Sequence, residues 1–113
     1  MVGLAEVRAV ALALPRTYER VVLDRVKFKV GQYVFLSVSP DETVLGFGFP
    51  KQERAGLIAS DPQKFLPPAL ADERYNWVCV RLTEIDADEL AELVTEAWRM
   101  VVPKRVAAEH LGG

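Results

Sequence analysis

The pattern with the most chemical content in this sequence is a run of basic residues at alternate positions, Arg25, Lys27 and Lys29. In an extended strand alternate side chains share a face about 6.5–7 Å apart. That spacing suits contacts to successive phosphates of a nucleic-acid backbone. The same alternation also protects a solvent-facing strand against edge pairing, and the pattern by itself leaves both readings open. Arg16, Arg20 and the Lys104-Arg105 pair are candidate flanks of such a patch.

Residues for covalent or acid–base chemistry are scarce. The one histidine, His110, lies near the C-terminus, where chains fray. The one cysteine, Cys79, sits mid-strand and reads as a small buried hydrophobe; activating it would require a neighbouring base or helix N-terminus. Metal ligation needs a cluster that these two distant residues do not form. Neither a phosphate-binding GxxxxGK[ST] loop nor a GxGxxG turn is present, and Gly46-Phe47-Gly48 reads as close packing within a strand. Asp86, Asp88, Glu89, Glu92 and Glu96 crowd one helix and read as its solvated face. Tyr75, Trp77 and Trp98 could line a small-ligand pocket but are expected in the core. A binding module is therefore expected, not an enzyme, with no catalytic residue, metal or cofactor.

The elements that must position these residues follow from hydrophobic period. Leu4, Val7, Ala11 and Leu14 recur at helical spacing over about 3–13, and Pro15 ends the helix. From Glu19 the period becomes 2, with Val26, Phe28 and Val30 on the buried face of a strand. Gly31-Gln32 fits a two-residue hairpin loop into a second strand, Tyr33 to Val38. After the Ser39–Glu42 turn, Leu45, Phe47 and Phe49 mark a third, with Gly46 and Gly48 opposite. Pro50 opens a short helix that Ser60-Asp61-Pro62 stops, and a proline-rich loop spans 62–74. Tyr75 to Leu82 is a strand apolar on both faces, as an interior strand would be. Asp86 caps a final amphipathic helix carrying Leu90, Leu93, Val94, Ala97, Trp98 and Val101, with Glu89 as its capping-box partner. Pro103 breaks it, and Lys104-Arg105 are expected at its C-terminal end, where cations suit the dipole. The fold class is α+β, a two-layer sandwich whose antiparallel sheet carries its helices on one face.

At 113 residues the chain is expected to be one domain, 1–113. Glu6 and Arg8 interrupt the apolar N-terminal stretch and argue against a signal peptide; no run is long enough to cross a bilayer. A single cysteine suits a cytoplasmic location. The net charge of −2 argues against general affinity for nucleic acid. Residues 1–60, however, hold eight basic against six acidic side chains, and the remainder six against ten.

The motif order resembles the MmcQ/YjbR family. The likeness rests on Leu14-Pro15, on Phe28-Lys29-Val30-Gly31 leading into Tyr33-Val34-Phe35, on Pro67-Pro68-Ala69, on Trp77-Val78-Cys79-Val80, and on the closing helix from Leu90 to Lys104. The resemblance implies a CyaY-like α+β domain and DNA as the partner, a function inferred for that family largely from fold comparison. Family members often carry a lysine where this chain has Gly48, which would subtract from a basic surface. The alternatives are a protein-interaction or weakly homodimerising domain using the exposed sheet face, favoured if Tyr33 or Phe35 reaches that face, and a small-ligand-binding protein. No membrane partner is expected, and no small-molecule substrate is identified.

Overall fold

Residues 2–112 are described by the computed structural model. In chain order they form α1 (Leu4–Leu12), β1 (Thr17–Val22), β2 (Arg25–Val30), β3 (Tyr33–Val38), β4 (Val44–Gly48), α2 (Lys51–Ser60), β5 (Phe65–Leu66), β6 (Trp77–Arg81), α3 (Ala87–Arg99) and α4 (Lys104–Leu111). Short 3₁₀ turns at Leu70–Asp72 and Leu82–Glu84 bracket β6. The strands make one antiparallel sheet in the order β1-β2-β3-β4-β6-β5.

Alternation along the strands sets the two faces. Phe28, Leu36, Leu45, Phe47, Val78 and Val80 are all buried, and register aligns Phe28 with Leu36, Leu36 with Phe47, and Phe47 with Val78. Lys29 pairs with Val34 while Phe28 pairs with Leu36, so Phe35 is an extra residue in β3. That bulge lets two consecutive side chains, Phe35 and Leu36, both become fully buried.

The turns match their chemistry to different degrees. Gly31 takes φ +60° between β2 and β3, as its lack of a side chain allows. Between β1 and β2, Leu23 and Asp24 both adopt positive φ, 48° and 67°. Two such residues in succession suit the twist of a tight hairpin, but leucine meets a steric cost there. With a leucine at the turn, β1 carries no sequence signal that separates it from β2.

The helix layer covers the buried face. α1 contributes Val7 and Ala11, one turn apart, and α3 contributes Leu90, Val94, Ala97 and Trp98. The Asp86 carboxylate accepts the Glu89 N–H at 2.8 Å, capping α3 as expected. The reciprocal half of the capping box does not form, because the Glu89 carboxylate binds Lys64 Nζ at 2.9–3.0 Å. Trp98 is fully buried, and its Nε1–H donates to the Pro15 carbonyl at 2.9 Å. On α1, Arg8 grips Glu19 of β1 through two bonds of 2.8 and 2.9 Å, so Glu19 is held beneath the helices.

Three further details differ from the sequence-based expectation. The 62–74 stretch contains β5, where Phe65 is buried and pairs with Val80. Lys104 and Arg105 do not end α3; past Pro103 they begin a separate helix, α4, whose Val106 and Ala107 pack into the core. His110 lies within α4, and its ring stands 5.3 Å from that of Trp98 in an edge-to-face contact. Trp98→Ala should therefore lower stability by about 3–5 kcal/mol in denaturant unfolding. A loss below about 1 kcal/mol would mean that α3 is not held by this ring.

Candidate functional site: the open face of the sheet

With the helices gathered on one side, the side chains opposite Phe28 and its row face away from the core. Register defines what they are. Arg20 of β1 lies opposite Lys27, Tyr18 opposite Lys29, and Val22 opposite Arg25. Continuing across the sheet, Lys27 is opposite Ser37, Ser37 opposite Gly46, and Gly46 opposite Cys79. Arg81, two residues beyond Cys79 on β6, is exposed and adds a fifth cation to this side.

Two of these cations lie over one aromatic ring, and among the described residues none has a carboxylate partner. The Arg20 guanidinium lies 5.5 Å and the Lys29 ammonium 6.0 Å from the centre of the Tyr18 ring. Among the described residues the ion pairs are Arg8–Glu19, Lys64–Glu89 and Arg99–Glu96, and none involves Arg20, Arg25, Lys27 or Lys29.

Beside the ladder the face is concave. A groove of about 630 Å³ runs from Arg25 and Lys27 on one bank to Asp72, Tyr75 and Asn76 on the other. Its floor includes Ser37, Gly46, Trp77 and Cys79. Gly46 is what allows the Trp77 indole to lie against the sheet, since a β-carbon there would stand 2.6 Å from Trp77 Nε1. The far bank is braced by α2. Arg54 donates to the Glu73, Tyr75 and Trp77 carbonyls at 2.9–3.2 Å, and the Asn76 side-chain oxygen accepts the Lys51 N–H at 3.0 Å. The bank is thus a built wall.

This arrangement can attract and orient an anion carrying an apolar part, and its cysteine is not an activated thiolate. Burial pushes the Cys79 thiol above its ordinary pKa, and the nearby Arg25 charge only partly opposes that shift. Cys79 therefore stays protonated at neutral pH. The described residues contain no cluster of three or more metal-ligating side chains.

The sequence-derived candidates divide cleanly. Arg20, Arg25, Lys27 and Lys29 share the open face. Arg16 is exposed in the turn before β1, at φ +66°, beyond the end of the ladder. Lys104 and Arg105 sit in the helix layer with α4 and do not flank the open face. Phe35 is in the core, whereas Tyr33 is 59% exposed. Trp98 is core as expected, but Trp77 and Tyr75 line the groove, and Cys79 is part of its floor. The missing lysine at position 48 costs this face nothing. A β-carbon there would point at α3, 3.7 Å from Ala97 Cβ and Met100 Sδ. The overlooked signal for the groove was a large Trp77 and a side-chain-free Gly46, each on the non-core face of its strand.

Gly46→Ala should displace the indole, expose Trp77 to acrylamide quenching and cost about 1–3 kcal/mol. A Trp98→Phe background leaves Trp77 as the sole indole for this measurement. Unchanged quenching would show that the ring does not rest on Gly46.

Comparison with known proteins agrees with this architecture. The family model described as YjbR matches residues 12–100, a span that includes every strand of the sheet. Uncharacterized proteins of Mycobacterium tuberculosis and Mycobacterium bovis are each 42% identical over 55 residues, covering 49% of this chain and 42% of theirs. The matched stretch is thus under half the length of those relatives. The crystal structure of a Deinococcus radiodurans protein with the domain DUF419 superposes with a TM-score of 0.74 at 23% identity, covering 93% of this chain and 84% of that one. That likeness is one of fold. From β1 through α3 the residues that build the sheet and the groove fall within the matched span, and the chain belongs to the YjbR family.

Proposed function

We propose that this chain is a non-enzymatic module that binds DNA through backbone phosphates on the open face of its sheet. The supporting observation is that Arg20, Arg25, Lys27 and Lys29 lie on adjacent strands of one face with no carboxylate paired to them among the described residues. Edge protection alone accounts less well for this set. β1, and not β2, is the edge strand, yet three of the four cations are on β2. The net charge of −2 is no obstacle. Asp88, Glu92 and Glu96 are exposed on α3, in the opposite layer, and a phosphate at the sheet responds chiefly to charges within about a Debye length, roughly 8–10 Å.

A second reading, association with a protein or a second copy, draws on exposed apolar residues at the β1–β2 hairpin: Val21 is 67% and Leu23 91% exposed. These lie at the sheet's edge and leave the basic face free, so the two readings do not compete for the same surface.

With about three to five phosphate contacts, the logarithm of the binding constant should fall with log salt at a slope near −3 to −4. Fluorescence anisotropy of labelled DNA across a salt series measures this. Changing Arg25, Lys27 and Lys29 together to alanine should abolish most binding and flatten the slope. Absence of salt-sensitive binding by the wild-type chain at low ionic strength would overturn the proposal.

A further inference from the structure

We infer that the groove beside the basic ladder is a subsite for one unstacked nucleobase, so that the strand held on this face is single. This rests on the reading of the open face as a nucleic-acid surface and names the form of nucleic acid that the face selects.

The groove joins two chemistries that a nucleotide also joins. Its near bank, Arg25 and Lys27, carries positive charge without an ion-paired partner among the described residues. Its interior is apolar and aromatic, with Trp77 lying on Gly46 and Tyr75 at the wall. Aromatic rings beside a cationic track are how proteins hold single strands, because every base has a face that can stack. A duplex keeps its bases stacked inside, so a duplex resting on the ladder would leave this interior empty.

Polar groups in the groove are placed for a base edge. Ser37 is only 8% exposed and lines the floor, where its hydroxyl can donate to or accept from a base edge. On the far bank, Asn76 uses its side-chain oxygen for the Lys51 N–H, which leaves the amide NH₂ as a free donor. Asp72 on that bank would repel phosphate and accept from a base N–H, such as the thymine N3–H or an exocyclic amine. Charge therefore orients the ligand, phosphate towards β2 and base towards the loop.

The test compares three labelled probes at low salt: a 12-nucleotide oligo(dT), an abasic deoxyribose-phosphate oligomer of equal length, and a hairpin duplex. The wild-type chain should bind oligo(dT) about tenfold or more tighter than the abasic oligomer. Trp77→Ala should erase that difference while leaving abasic binding and the salt slope unchanged. Ser37→Leu, which fills the floor from β3, should do the same and guards against a folding defect peculiar to Trp77→Ala. Equal affinity of the wild-type chain for oligo(dT) and the abasic oligomer would overturn the subsite while leaving the phosphate-binding face standing. So would an undiminished preference for oligo(dT) in both variants. No binding to any probe would remove the proposed function, and the subsite with it.

Discussion

The burial of Trp98 is the constraint on which the rest of this molecule depends. Its ring is fully enclosed, and its indole N–H reaches the Pro15 carbonyl, 83 residues away in sequence. That bond joins α3 to the turn between α1 and β1, and His110 of α4 closes against the same ring. An indole donor buried without a partner would cost about 1–3 kcal/mol, so the ring and the carbonyl hold each other in register. The α1–β1 turn, α3 and α4 meet at this one side chain, on one side of the sheet. The other side is left bare of helices.

From that one-sidedness follows the separation of charge. The helix layer carries the exposed carboxylates of α3, and Glu19, on the strand face under α1, is neutralised by Arg8. The open face carries Arg20, Arg25, Lys27 and Lys29. A net charge of −2 is the sum of two unlike surfaces, and a ligand at the open face would meet only one of them. The groove adds shape to this charge. Its floor exists because Gly46 leaves room for Trp77, and its wall exists because Arg54 and Lys51 of α2 hold the 73–77 backbone in place.

Much of this was legible from local pattern. Alternation at Arg25 to Val30, the glycine turn at Gly31, the stripe from Leu90 to Trp98 and the cap at Asp86 all act over a few residues, and the folded chain uses each as its pattern implies. The same is true of the family, whose motifs lie in the strands and helices themselves. The missed features are those without a local signature. β5 is two residues long and exists only because β6 offers it an edge. α4 begins with Lys104 and Arg105, cations that its dipole disfavours in the first turn, and it forms because Val106 and Ala107 find the core.

The sequence by itself determined the fold class, the strand that carries the basic ladder and the helix that closes the core, because periodicity is a local property of a chain and burial rewards it wherever it occurs. Only the tertiary structure decided which of two tryptophans is core and which is surface. Trp98 sits on a helix stripe with the Pro15 carbonyl within reach, and Trp77 lies across a glycine on the face the helices leave bare. Tertiary structure likewise brought Arg20 opposite Lys27 and carried Lys104 and Arg105 to the other layer. Those outcomes depend on strand register and on which face the helices cover, and both are settled by contacts between residues far apart in the chain.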